Sequence, residues 1–151
     1  MMKSIPVWKQ ELSDGVHAAR LASLYCCSPA ETASKAARYA AVLDGLEKAF
    51  GSHAEAGLYS APGRTEIGGN HTDHQHGRVL AGSVNIDMIA AAAPNDKNQL
   101  RVQSEGYDLC VIDLNDLKAR KEEENTTAAL LRGECAAFAQ RGAKLAGLDV
   151  Y

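Results

Sequence analysis

Apolar residues recur at helical spacing most clearly in the segment that follows Ser28. Ser28 suits a helix N-cap, Pro29 suits the first helical position, and Glu31 completes a capping box. Gly51 can end the helix, because glycine readily adopts the backbone conformation found beyond a helix C-terminus. The apolar positions in between are Ala36, Ala40, Leu43, Leu46 and Phe50. This pattern predicts a packing helix over about residues 29–50.

Two other helices are predicted from fewer signals. Ser13-Asp14 can cap a helix that runs to about Tyr25, whereas residues 1–12 show no clear pattern. Asn125 or Thr126 can cap a last helix, which Gly147 can end. The stripe of this last helix is Leu131, Cys135, Phe138, Gly142 and Leu145. The charged segment 115–125 before it is predicted to be exposed, as a solvated helix or a linker.

Alternation of apolar and polar residues predicts strands in the second half of the chain. Residues 57–61 predict a short strand, and residues 84–88 predict a half-buried one with Val84, Ile86 and Met88 inward. A turn at residues 94–98 and the alternation around Leu100 then predict a hairpin, followed by a strand over 107–114. Another apolar pattern starts at residues 148–151 without an evident partner. The fold class predicted is α+β, a mixed sheet with helices packed on it.

Between the first two predicted strands lies a polar segment, residues 60–77. It holds four glycines and three of the five histidines of the chain, with few apolar side chains. Such a segment cannot form a core, so we predict a loop that presents polar groups to a ligand.

Composition narrows the class of protein. With 46% hydrophobic and 23% charged residues among 151, the chain can form one packed domain of ordinary size. The net charge of −3 and the lack of a basic run argue against a nucleic-acid partner. No apolar stretch approaches the roughly 20 residues that span a bilayer, and the N-terminus lacks a signal-peptide core. We therefore predict a cytoplasmic protein without a membrane partner, whose four cysteines are buried free thiols.

The polar segment allows three interpretations. His71, Asp73, His74 and His76 can ligate a divalent metal, as in a metal-dependent hydrolase, but their order differs from the usual H-x-H-x-D-H, so no metal is assigned. Alternatively, Asp73 can accept hydrogen bonds from neighbouring hydroxyls, histidine can bind another, and Arg64 offers a cationic fork to oxygen atoms. That chemistry suits a polyhydroxylated or phosphorylated small molecule. A polar turn without a ligand is the third interpretation.

The run from Gly63 to His74 resembles the galactokinase signature of the GHMP kinase superfamily, G-R-x-N-[LIV]-I-G-E-H-x-D-Y. Ala61-Pro62 before it and Gly77-x-Val79-Leu80 after it fit the same family, and the resemblance covers about residues 55–151. It implies an incomplete copy of the ribosomal-protein-like N-terminal domain of the GHMP kinases over residues 55–151, preceded by an N-terminal helical segment, residues 1–54.

The resemblance also implies an activity, the ATP-dependent phosphorylation of galactose or a related hexose at the anomeric hydroxyl. Arg64 would be the catalytic residue, stabilising charge on that hydroxyl, and would also bind the sugar. Asp73 would hold two ring hydroxyls, and His71 would lie by the hydroxymethyl group. Asn70 stands where the family has a glutamate, Glu66 where it has an asparagine, and His74 where it has a tyrosine.

These departures leave an alternative, a non-catalytic sugar-binding or regulatory protein built on the kinase scaffold. The family also has a phosphate loop resembling G-L-S-S-S-A and a catalytic aspartate, neither of which has a counterpart in these residues. We therefore expect ATP and Mg²⁺ to bind only in a full-length protein, and the fragment alone to be inactive. An incomplete domain is further expected to expose apolar sheet surface and to self-associate.

Overall fold

The computed structural model describes residues 1–69 and 72–151, apart from the side chain of Asp73. Within these residues the helices are α1 (Ile5–Ser13), α2 (Ala18–Tyr25), α3 (Thr32–Phe50) and α4 (Thr127–Gln140). The strands are β1 (Met2–Lys3), β2 (Ala56–Gly68), β3 (Leu80–Pro94), β4 (Gln99–Val102), β5 (Cys110–Asp113) and β6 (Leu148–Val150). Short 3-10 turns cover Pro29–Glu31, Asp73–Gln75 and Lys121–Glu123. The predicted α+β class is confirmed.

All six strands form one mixed sheet in the order β1-β2-β3-β6-β4-β5. Neighbours run antiparallel except β4 and β6, which are parallel. The predicted hairpin between β3 and β4 is wrong, because β6 lies between them and pairs with both. The apolar segment at residues 148–151, which had no evident partner in the sequence, thus pairs through β6 with a strand on each side.

The helices α1, α2 and α3 form a layer on one face of the sheet. Their apolar side chains pack with alanines of the central strands, and the largest buried members are Ile5, Trp8, Tyr25, Tyr39, Leu43 and Leu46. The indole Nε1 of Trp8 donates a hydrogen bond of 2.8 Å to the carbonyl of Ala56, which ties α1 to the start of β2. Residues 1–12 thus contain a helix that the sequence pattern did not reveal.

The predicted helix boundaries are confirmed where nearby residues in the sequence cap the helix. The capping box of Ser28 and Glu31 is present, α3 ends at Phe50, and Gly51 follows it. Ser13, predicted as an N-cap, is instead the last residue of α1. Thr126 caps α4, with its hydroxyl accepting from the amide of Ala129 at 3.3 Å.

The last helix ends earlier than predicted, at Gln140 rather than near Gly147. Gly142 adopts a φ of 83°, a left-handed conformation that terminates the turn. The buried side chain of α4 is Arg132, which donates to both carboxylate oxygens of Glu123 and to the carbonyl of Asp116. The charged segment before α4 is therefore anchored to the helix rather than freely solvated.

No helix in the described part of the chain has the length and apolar character needed to cross a membrane.

Candidate functional site

The polar segment is a strand for half of its length. β2 continues through Gly68 and pairs with β3, whose first residue Leu80 lies opposite Gly68. Residues 60–68 of the predicted loop therefore belong to β2. The connection between the two strands spans residues 69–79. Cross-strand backbone pairing accounts for this, since it satisfies the amides of a polar sequence as well as those of an apolar one.

Close backbone packing shapes this connection. Gly69 has a φ of 105°, and a Cβ there would lie 2.5 Å from the carbonyl oxygen of Arg78. The carbonyl of Thr72 accepts hydrogen bonds from the amides of Gln75 (3.0 Å) and Gly77 (2.7 Å). A Cβ on Gly77 would come within 2.2 Å of the Thr72 hydroxyl oxygen. These glycines are therefore required by the shape of the turn.

The predicted site residues differ in how far the structure describes them. Arg64 lies on β2 opposite Ser83, with its side chain 62% exposed and one guanidinium nitrogen 3.6 Å from Oε1 of Glu66. Asp73 begins the 3-10 turn through its backbone. Asn70, His71 and the side chain of Asp73 lie outside the described residues, so their predicted sugar contacts remain predictions.

The histidine cluster is likewise described only in part. His74 lies in the 3-10 turn, and His76 follows it with a φ of 62°. Within residues 1–69 and 72–151, and without the Asp73 side chain, no group of three or more His, Cys, Asp or Glu side chains could hold a metal ion. That finding leaves the interpretation based on His71 and Asp73 untested.

A buried carboxylate next to the signature was missed from the sequence. The side chain of Asp87 on β3 is only 3% exposed. Its Oδ2 accepts hydrogen bonds from the hydroxyls of Ser60 and Tyr25, both at 2.5 Å, and its Oδ1 accepts from Nη1 of Arg38 at 3.0 Å. The Tyr25 hydroxyl also lies 2.9 Å from that of Tyr39. This cluster, Tyr25, Arg38, Ser60 and Asp87, is called the Asp87 network below.

The prediction of which β3 residues face inward is wrong. Ile86 and Met88, predicted to face inward, are 76% and 78% exposed, while Asp87 faces the helices. Asp87 is the one charged residue of β3, and this signal becomes decisive only when the donors on α2 and α3 are known.

Electrostatics keep Asp87 ionised. Burial on its own would raise the pKa of this carboxyl, but hydrogen bonds from Ser60, Tyr25 and Arg38 outweigh it, and the pKa is lowered. Burial, followed by the hydrogen bond to Asp87, raises the pKa of Tyr25, so its hydroxyl stays a donor. The charge of Asp87 is therefore balanced chiefly by Arg38.

A second buried carboxylate lies on β6, the strand next to β3, opposite Ala93. Asp149 on β6 is fully buried and accepts two hydrogen bonds of 2.6 Å from the guanidinium of Arg101. Asn95 donates to it at 2.6 Å, and Nε2 of His53 lies 2.8 Å from Oδ2. This cluster joins β6 to β4 and to the loops beside them.

Comparison with known proteins supports the resemblance seen in the sequence. Residues 46–94 match the family model described as the galactokinase galactose-binding signature. The galactokinase of Ligilactobacillus salivarius is 36% identical over 83 residues, which cover 53% of this chain and 21% of that protein. The galactokinase of Streptomyces coelicolor is 28% identical over 102 residues, covering 68% and 26%. The chain thus spans about a quarter of the length of these relatives or less.

A solved structure shares the fold. The crystal structure of Lactococcus lactis galactokinase complexed with galactose matches with a TM-score of 0.62 at 21% identity. The match covers 71% of this chain and 28% of that one. The predicted fold, a mixed sheet with helices packed on it, is therefore confirmed and is shared with part of that galactokinase.

Proposed function

We propose that this chain, which is related to the galactokinases, carries the sugar-binding part of an enzyme that phosphorylates galactose at its anomeric hydroxyl with ATP. The observation that carries the proposal is the match of residues 46–94 to the galactose-binding signature. The fold shared with a galactokinase and the exposed arginine on β2 support it.

Arg64 is the proposed catalytic residue among those described. Its side chain lies on β2 and is more than half exposed, so its guanidinium is accessible to a ligand. A fixed cationic fork stabilises an oxygen that gains negative charge, as the anomeric oxygen does during phosphoryl transfer. Asp73 and His71 are proposed to hold the ring hydroxyls and the hydroxymethyl group, with Asn70 hydrogen-bonding beside them.

We assign neither ATP nor Mg²⁺ to the described residues. At the start of the α3 region the carboxylate of Glu31 accepts a hydrogen bond from the amide of Ser28, and its negative charge disfavours a phosphate there. The first turn of α4 is capped by Thr126. Among the described residues, no group of three or more His, Cys, Asp or Glu side chains could hold a metal ion. ATP, as the phosphoryl donor, is therefore assigned to no residue of this chain.

Isothermal titration with galactose tests the proposal, using the longest protein that the gene encodes. We expect saturable binding that weakens in Arg64→Ala and Asp73→Ala, because both remove a proposed sugar contact. Arg141→Ala, which removes an exposed arginine just beyond α4, is the matched control and should bind as the wild type does. Absence of binding, or unchanged binding after Asp73→Ala, would refute the proposal.

A second candidate function, sugar binding without phosphoryl transfer, is favoured by one contact. Oε1 of Glu66 lies 3.6 Å from the guanidinium of Arg64, so a carboxylate competes for the cation proposed to stabilise the reacting oxygen. The same protein assayed for galactose 1-phosphate separates the two functions. Binding with turnover supports the kinase, and binding without turnover supports the non-catalytic protein.

A further inference from the structure

The Asp87 network lies directly beside the backbone that carries Arg64. Asp87 pairs with Pro62, and the next pair in the β2–β3 ladder is Arg64 with Ser83. Gly63 alone therefore faces three residues of β3, Val84 to Ile86, which form a bulge. The position of Arg64 depends on how this bulge is held, because Arg64 is the first residue paired after it.

The space between Gly63 on β2 and the bulge leaves little room for a side chain. A Cβ built on Gly63 would lie 3.2 Å from the carbonyl oxygen of Ile86 and 3.2 Å from a methyl carbon of Val84. A movement of the bulge would therefore be passed to Gly63 and on to Arg64.

Apolar packing supports the bulge only in part. A cleft of about 290 Å³ opens beside it, lined by Tyr25, Ser60, Pro62 and Val84 among others. Asp87, the residue that follows the bulge, is tied by hydrogen bonds to β2 through Ser60, to α2 through Tyr25 and to α3 through Arg38. These polar contacts connect the end of the bulge to the layer of helices.

We propose that Asp87 is a positioning residue for Arg64, which acts by fixing the β3 bulge against Gly63. The proposal rests on the proposed function, since the position of Arg64 affects sugar affinity only if Arg64 contacts the sugar. Asp87 also lines the cleft beside the bulge, but its carboxylate is 3% exposed and accepts hydrogen bonds from its own donors, so we assign it no contact with the sugar.

A double-mutant cycle on galactose affinity tests this proposal. Titrations compare the wild type, Asp87→Asn, Arg64→Ala and the double variant. Asp87→Asn should weaken galactose binding by about tenfold, because a small misplacement of a contact residue is costly. In the Arg64→Ala background the same substitution should have little further effect, because it acts through the residue already removed. If the two substitutions weaken galactose binding additively, the proposal is overturned.

Asp149→Asn is the matched control. This substitution also removes a buried carboxylate from its arginine. Asp149 pairs with Ala93, however, which is six residues along β3 from Asp87, or about 20 Å away. The Asp149→Asn substitution should lower the unfolding midpoint and leave galactose affinity unchanged. If it weakens galactose binding as much as Asp87→Asn does, general destabilisation explains both results and the proposal fails.

Amide chemical shifts give a readout that does not need the sugar. Without galactose, Asp87→Asn should shift the resonances of Gly63 and Arg64, whereas Asp149→Asn should not. If the wild type binds no galactose, the proposed function is refuted. If the wild type binds galactose but the Gly63 and Arg64 resonances do not shift in Asp87→Asn, only the positioning role of Asp87 is refuted. If Asp87→Asn does not fold, Ser60→Ala removes one donor to Asp87 and takes its place in the cycle.

Discussion

At the scale of single residues, two adjacent glycines at the end of β2 have different requirements. Gly69 adopts a φ of 105°, and a Cβ there would lie 2.5 Å from a backbone carbonyl oxygen. Gly68 has no atom within 4 Å of such a Cβ and no left-handed backbone. The connection that carries the signature histidines therefore depends on Gly69 and tolerates a side chain at Gly68.

We predict that Gly69→Ala lowers the free energy of unfolding by at least about 1 kcal/mol, because alanine is strained at this φ and meets backbone atoms. Gly68→Ala, the matched control, should change it by less than about 0.5 kcal/mol. Urea denaturation followed by circular dichroism measures both values. Equal midpoints for the two variants would contradict the assignment of the turn to Gly69.

At the scale of elements, β6 is a short strand held by charge as well as by pairing. Burial would raise the pKa of Asp149, but hydrogen bonds from Arg101, His53 and Asn95 outweigh it and lower the pKa. A carboxyl whose pKa is lower in the folded than in the unfolded chain stabilises the fold above its unfolded pKa, about 3.9. That stabilisation is lost as the pH falls below this value.

We therefore predict that stability falls more steeply between about pH 5 and about pH 2 in the wild type than in Asp149→Asn. At neutral pH Asp149→Asn should lose about 3 kcal/mol, because Arg101 is left without its buried partner. Asp108→Asn, which changes an exposed carboxylate, should follow the wild-type pH profile. Urea midpoints across the pH series provide the measurement, and parallel profiles for wild type and Asp149→Asn would refute the assigned role.

The same strand shows what the sequence can and cannot predict. The α3 helix was predictable because its capping box and stripe are local. The pairing of β4 was not, because a turn at residues 94–98 suggests a hairpin, whereas β6, some fifty residues later, inserts beside β3. In the site, the glycines and Arg64 were identifiable from the signature. Asp87 was not, because its donors come from α2 and α3, far away in sequence.

At the scale of the whole molecule, the two faces of the sheet differ. The helices α1 to α3 cover the face that Leu58, Ile89 and Asp87 point to. Alternation along the strands places Tyr59 and Met88 on the opposite face, where they are 56% and 78% exposed. Ile86, in the bulge, is 76% exposed. Clustered apolar residues of this size are uncommon on the surface of a monomeric protein.

We predict that these 151 residues on their own associate reversibly as concentration rises, through this apolar face. Size-exclusion chromatography with light scattering should show an average mass that increases with concentration. Met88→Lys should reduce the association, because it places a charge in the centre of the contact. Val16→Lys is the matched control, since Val16 is 63% exposed in the turn between α1 and α2 and lies away from this face. A constant monomer mass, or an equal effect of both substitutions, would show that the face does not drive association.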